Sequence, residues 1–435
     1  MILKAISIPL ISRCLPFVIL TVVSCMPTHA QPGAQENYVT YRGSVLEAGS
    51  NRPLPLASIS IEGTNISTVS NTEGEFSLKV PTALQTAQVV FAFLGYENKS
   101  LPLATLKTGD NQVKLEVSVT QLDEVKIDVA KNAEALIKEV LRSKGENYLG
   151  ENILMTAFYR ETIKKRKKNV SLAEAVVNIY KTPYATNRAD AIELYKARKS
   201  TDYSKLDTVA LKLQGGPFNA LYVDLMKYPS FIFEDGSIEE YQFDFERSTY
   251  INDRLVYVIN FSQLPSIVRP LYMGKLFIDI ENKTLTSAVY KLNITDKEMA
   301  ARLFVRKKPA KVAVWPTEVA YRVDYREKGG KWYYGYSNVL MEFKVDWKGR
   351  LFNSVYSMTA EMAVTDWKRN TQNVFPKGKD RIKRSIILND EALGFSDPQF
   401  WGEYNIIEPE KSIESAIKKI QRQLRRNAKN GTSIP

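Results

Sequence analysis

The sequence predicts a mainly β protein: an N-terminal β-sandwich followed by a large curved antiparallel sheet with a few amphipathic helices. Three observations predict it. Residues 38–127 alternate short strand-like runs with turn residues at close spacing and carry no helical period. From Tyr241 to Asp366 hairpin follows hairpin, with Tyr241, Phe243 and Phe245 set against Gln242, Asp244 and Glu246. Helical periodicity is confined to three short stretches, 132–144, 218–227 and 412–429.

The chain of 435 residues is long enough for two to three domains, and its 44% hydrophobic and 25% charged content is that of a globular protein. Residues 1–30 read as a signal peptide: Lys4 and Arg13 supply charge, Leu15 to Val23 an apolar core, and Thr28-His29-Ala30 a small-residue cleavage site. Val22-Val23-Ser24-Cys25 offers an alternative, lipidation at Cys25 and a membrane anchor. Either way the protein is expected to be exported, to the periplasm or the outer membrane. Beyond this segment no run reaches the roughly 20 apolar residues of a membrane helix, so no transmembrane span is expected.

Both cysteines, Cys14 and Cys25, and the only histidine, His29, fall inside the leader. A cleaved chain has no disulfide, Cys nucleophile, His base or His-ligated zinc. The net charge of +12 loses only Lys4 and Arg13 with the leader. In a cell envelope such charge favours lipid phosphates or lipopolysaccharide as partners, and nucleic acid is not expected.

The sandwich carries Gly43-Ser44-Val45, Arg52-Pro53-Leu54-Pro55-Leu56-Ala57-Ser58-Ile59, Asn71-Thr72-Glu73-Gly74-Glu75-Phe76 and Leu94-Gly95-Tyr96. Gly74 supplies a turn, and Ile59, Ile61, Phe76 and Leu78 alternate into the core. These residues resemble the carboxypeptidase-regulatory-like domain, a transthyretin-like sandwich common in envelope proteins of Bacteroidota. The resemblance implies a non-catalytic module, since that sandwich accompanies a zinc enzyme domain and holds no metal ligand itself. Leu122-Asp123-Glu124-Val125 resembles the segment that joins this module to the plug of outer-membrane receptors, but a helix follows here instead of a plug.

That helix occupies residues 131–145: Asn132 caps it, Ala133, Leu136, Ile137, Val140 and Leu141 form a stripe, and Gly145 is placed to end it. The meander domain spans 150–370. It opens with a hairpin, Leu154 to Ile163 against Val170 to Tyr180, around the basic loop Lys164, Lys165, Arg166, Lys167 and Lys168. Gly215-Gly216-Pro217 then starts a short helix through Phe218, Leu221, Tyr222 and Leu225 to Lys227. In the later strands Trp332, Tyr334 and Tyr336 are expected on one face, and Met341, Phe343 and Val345 on a face of the next strand. The sheet, with Gly274 to Asp279 paired to Leu285 to Leu292, is similar to the periplasmic lipoprotein-carrier half-barrel. That likeness implies a face that holds acyl chains. Residues 371–435 supply an aromatic loop, Phe400-Trp401-Gly402-Glu403-Tyr404-Asn405, and a basic helix that the loop is expected to dock.

Catalytic constellations are absent from the pattern. Gly335-Tyr336-Ser337-Asn338 lacks the closing glycine of a nucleophile elbow, and Ser415 to Lys418 and Lys107-Thr108-Gly109 stand in the wrong order for a serine hydrolase. Asp244 and Glu246 alternate with core aromatics as a wet face, so they do not read as paired acids. Asp279, Glu281 and Lys283 break the calcium-loop pattern. No enzyme activity and no cofactor is expected. The contact candidates are basic: Lys164 to Lys168, then Arg306, Lys307 and Lys308, then Arg422, Arg425 and Arg426 of the tail. Two amphipathic helices compete to cover the apolar face of the meander. If they leave a groove, the protein binds a lipidic or apolar ligand; if they fill it, it serves as a scaffold or assembly factor for an outer-membrane protein partner. The 23 tyrosines and 5 tryptophans leave glycan binding as a further alternative.

Overall fold

Seven short strands form the N-terminal unit: β1 (Tyr38–Glu47), β2 (Ser58–Ile61), β3 (Ser67–Val69), β4 (Glu75–Pro81), β5 (Gln88–Ala92), β6 (Lys99–Pro102) and β7 (Asn111–Leu115). In the computed structural model the described residues are 37–93, 95–118, 132–166, 168–201, 214–233, 237–251, 254–305, 310–349, 351, 353–394 and 400–410. The strands make two sheets, β4-β1-β7 and β3-β2-β5-β6, packed face to face. Ile59, Ile61, Phe76 and Leu78 are all fully buried between them, as their alternation requires. Gly74 has φ +74°, and a Cβ there would lie 2.8 Å from the Val45 carbonyl, so the turn into β4 admits no side chain.

The helix α1 (Ala133–Arg142) begins where Asn132 Oδ1 accepts the Ala135 N–H. It ends at Ser143, and Gly145 sits inside a following turn of helix, α2 (Lys144–Asn147), instead of terminating the first one. The meander then runs through β8 (Ile153–Lys165), β9 (Lys168–Lys181) and β10 (Ala191–Thr201), pauses at α3 (Pro217–Leu221), and resumes with β11 (Tyr241–Ile251), β12 (Arg254–Gln263), β13 (Tyr272–Asp279) and β14 (Leu285–Leu292). After α4 (Lys297–Phe304) come the three longest strands, β15 (Val312–Lys328), β16 (Lys331–Trp347) and β17 (Ser354–Arg369), and then α5 (Leu388–Glu391) and β18 (Leu393–Gly394). The sheet order is β11-β12-β13-β14-β15-β16-β17-β8-β9-β10-β18. All neighbours are antiparallel except the two-residue β18, and the edges β11 and β18 do not meet. β8 joins the sheet beside β17, so the first and last long strands close the middle of the order.

Three expectations are corrected here. The helix expected to Lys227 stops at Leu221, because Asp224 turns inward to meet buried partners and its carboxylate accepts the Lys227 N–H. Trp332 to Val345 is one strand rather than two. Its register slips where Asp324 pairs with Tyr336 and Tyr325 with Tyr334, leaving Gly335 unpaired as a bulge. The slip changes face: Trp332 and Tyr334 pack on the inner side, whereas Tyr336 joins the outer cluster with Phe158 and Val176. The aromatic loop at 400–405 packs against the sandwich and the outer face of the sheet; the tail helix expected at 412–429 lies outside the described residues.

Candidate functional site at the loop end of the sheet

The inner face of the sheet is filled by the chain's own segments. Leu136, Ile137 and Val140 of α1, Tyr148, and Phe218, Leu221, Leu225, Met226, Ile232 and Phe233 are buried in one cluster with Tyr241, Phe261, Tyr290, Tyr325 and Tyr334 of the strands. Polar anchors fix this cover: Tyr148 Oη donates to the Leu285 carbonyl at 2.6 Å, Ser337 Oγ to the Ala220 carbonyl at 2.8 Å, and the Met226 N–H to Tyr325 Oη at 3.1 Å. The segment 217–233 covers more of the face than α1 does. Sequence reading missed that role because only its first turn is helical and it carries no long stripe.

A buried charge cluster ties the cover to the sheet. Lys181 Nζ lies 2.7 Å from Asp190 and 2.6 Å from Asp224. Asp224 also accepts from Tyr184 and Tyr325, and Asp190 from Tyr228 and Thr182. Lys227 Nζ donates to the Pro183 and Thr186 carbonyls, and burial pulls its pKa down to about 8. Both carboxylates use both oxygens within the protein, so the cluster offers a substrate no free acceptor. It is a structural network, costly to break because each ion is already out of water.

Glu161 is a second residue that sequence reading passed over. It faces inward on β8, between Ala173 of β9 and Ala360 of β17, and is 5% accessible. Among the described residues its one hydrogen bond is from Tyr159 Oη at 2.9 Å. Burial pushes its pKa up to about 7, against the smaller opposite effect of that bond. The available signal was its parity: Met155, Ala157, Tyr159, Glu161 and Ile163 share one face of an alternating strand.

On the outer face, Glu174 receives Arg160 Nε and Arg198 Nε, each at 2.8 Å. Burial alone would raise its pKa, and the two guanidiniums outweigh that and lower it. Arg160 Nη2 continues to the Ile407 carbonyl at 2.6 Å, and Arg198 lies 4.8 Å over the Trp401 ring. Residues 400–410 thus run between sheet and sandwich, bonded to the latter by Thr68 to the Ile406 carbonyl and by Asn405 to both backbone groups of Lys79.

Several described basic residues gather at one end of the sheet. In an antiparallel array alternate connections share an end, and the turns β8–β9, β16–β17 and the approach to β15 are such a set. The Arg166 N–H bonds the Val355 carbonyl and the Lys348 N–H the Lys311 carbonyl, so the three connections abut. Five adjacent strands span about 20 Å at their usual spacing. The strands pair further into the basic run than the five-residue loop expected: Lys165 pairs with Lys168, and Arg166 has φ +55°. Lys164 is occupied by Glu410 at 3.4 Å, and Lys165 lies 5.7 Å over the Tyr356 ring. Arg166, Lys168, Lys311, Lys344 and Lys348 are exposed and have no ion pair among the described residues. The half-buried Asp346 is the nearby carboxylate of β16. Leu351, at the tip of β16–β17, is 94% exposed, and Leu303 on α4 is 58% exposed. Under this rim lies an apolar cluster of Ile163, Val170, Val312, Val314, Phe343, Val345, Tyr356 and Met358. Lys167, Arg306, Lys307 and Lys308, and the tail's Arg422, Arg425 and Arg426, lie outside the described residues, as does Cys25.

The two-sheet arrangement of the N-terminal unit and its buried motif residues match one known type of module. Residues 41–127 fit the family model of the CarboxypepD_reg-like domain. No curated protein matches the chain. Among solved structures, a putative outer membrane lipoprotein-sorting protein domain from Vibrio parahaemolyticus is similar at 13% identity and TM-score 0.24, covering 56% of this chain and 95% of its own. A DUF1329 family protein from Desulfovibrio piger is similar at 8% identity and TM-score 0.23, with the same coverage. A lipovitellin structure is similar at 7% identity and TM-score 0.26, covering 54% of this chain and 27% of its own. Among the described residues, the module's included, no group of three or more His, Cys, Asp or Glu is arranged to hold a metal. The module's polar edge, Asn65, Ser67 and Thr68, is spent on bonds to Trp367, Val364 and Ile406 carbonyls.

Proposed function

We propose that the protein is a non-enzymatic cell-envelope component that seats the loop end of its sheet on an anionic lipid surface. The observation that supports this most is the convergence of Arg166, Lys168, Lys311, Lys344 and Lys348, which have no ion pair among the described residues, at the end of the sheet that carries the exposed Leu351. Each cation near an anionic leaflet contributes about 1 kcal/mol, and an inserted leucine about 2 kcal/mol more. The sum gives weak, salt-sensitive, reversible attachment.

The packed inner face favours a surface contact over an acyl chain held inside the sheet. The test is flotation with vesicles of phosphatidylglycerol or of phosphatidylcholine. Attachment to the anionic vesicles alone, released by about 0.5 M salt, is the expected result. Equal attachment to neutral vesicles, or none to either, rejects it. A second reading, a rigid adaptor, is favoured by the bonds that hold sandwich, residues 400–410 and sheet together; crosslinking that captures one envelope protein through the sandwich, with no attachment to vesicles, would select it.

A further inference from the structure

Between the sandwich and the outer face of the sheet lies a cavity of about 60 Å³, lined by Ser58, Ala92 and Phe93 on one side and by Arg322, Asp324 and Arg326 of β15 on the other. Its charges do not balance. Asp324 is already engaged through both oxygens, by Ser287 Oγ at 2.6 Å and by Arg322 Nε at 2.8 Å. Arg326 gives Nη1 to Ser67 Oγ and to the Val364 carbonyl, but its Nη2 is buried with no hydrogen-bond partner among the described residues. Buried guanidinium N–H groups without an acceptor are rare, because they lose hydration and gain nothing.

The position of Arg326 is built rather than incidental. It runs over the bulge residue Gly335, where a Cβ would lie 2.9 Å from Arg326 Cγ and 3.1 Å from Cδ. The bulge therefore clears a path for the side chain under the sandwich. Burial outweighs the attraction of nearby groups and lowers the pKa of Arg326, as expected for a cation short of a counter-charge.

We propose that this cavity binds a small anion, of the size of chloride or acetate, which pairs with Arg326 and pins the CarboxypepD_reg-like module to the sheet. The guanidinium donates and cannot accept, so the missing partner must be an acceptor, and a negative one also supplies the absent charge. The volume admits about four waters or one small anion.

The experiment is a crystal of the full chain grown in bromide, with melting followed in parallel at constant ionic strength in chloride, acetate or the larger gluconate. The expected results are an anomalous peak within hydrogen-bonding distance of Arg326 Nη2 and a melting temperature about 2 °C higher in chloride or acetate than in gluconate. Arg326→Met should abolish both. Ala92→Leu, which fills the space and keeps the guanidinium, should abolish both as well, and it decides the matter if Arg326→Met does not fold. Water alone at the site with no anion effect on melting overturns the proposal, and so does an anion effect that persists in Ala92→Leu.

Discussion

Replacing Glu161 by Gln should make the protein more stable at pH 8 and remove the part of the fall in stability between pH 5 and 8 that Glu161 causes. Glu161 is 5% accessible, faces alanines on both neighbouring strands, and has one donor, Tyr159. Its carboxyl is pushed up to about 7 from 4.5. The folded protein therefore binds a proton that the unfolded chain releases between these values. Stability is fully present below about 4.5 and falls as pH rises through 7. A shift of about 2.5 units corresponds to about 3 kcal/mol. The glutamine keeps an oxygen for Tyr159 and carries no charge, at about 1 kcal/mol for burying an amide N–H₂. The net gain at pH 8 is about 2 kcal/mol, with a small loss at pH 5. Urea unfolding of both proteins at the two pH values measures this, because all other titrating groups cancel in the difference. Parallel pH dependences for wild type and Glu161→Gln would refute the reasoning and mean that Glu161 is solvated.

Lys181→Met leaves Asp190 and Asp224 without their shared cation and should cost about 3–5 kcal/mol in urea unfolding, with Asp224→Asn milder because its tyrosine partners still bond to an amide oxygen. A loss under 1 kcal/mol for Lys181→Met would show the cluster to be hydrated. Gly335→Ala drives a Cβ into Arg326 and should cost about 1–3 kcal/mol, with increased protease cleavage of the chain between sandwich and sheet. Trp401→Ala removes the ring that stacks edge-on to Phe158 at 5.4 Å and covers Arg198, for a loss of about 3–5 kcal/mol; a change below 1 kcal/mol would show that residues 400–410 do not hold the units together.

Alternation made the strands legible. Tyr241, Phe243 and Phe245 do face inward, and Asp244 and Glu246 are exposed, because a pleated strand with one packed face has no other choice. The cap at Asn132 and the turn at Gly74 were equally plain, being local chemistry. What the pattern hid was non-local. The face change at Gly335 depends on a bulge opposite Asp324 and Tyr325, and nothing near Gly335 in sequence announces it. In the cover formed by residues 217–233 the helical period misled beyond Leu221, since the rest is fixed by Asp224 reaching Lys181 and tyrosines from distant strands. The basic loop at 164–168 stood out as a run. Lys311, Lys344 and Lys348 did not, because single lysines become a patch only once the strand order gathers their connections at one end. Glu161 and Arg326 look like ordinary strand charges until their neighbours are known.

The central claim is that the loop end of the sheet, and not net charge, brings the protein to anionic lipid. Quantitative flotation on phosphatidylglycerol vesicles tests it with two variants of equal charge: Arg166, Lys168, Lys311 and Lys348 all changed to Gln, and Arg52, Lys99, Lys107 and Lys114 of the sandwich changed likewise. At about 1 kcal/mol per cation, the first set should weaken attachment about 1,000-fold while the second changes it by less than about fivefold. Equal losses in the two variants would contradict the account.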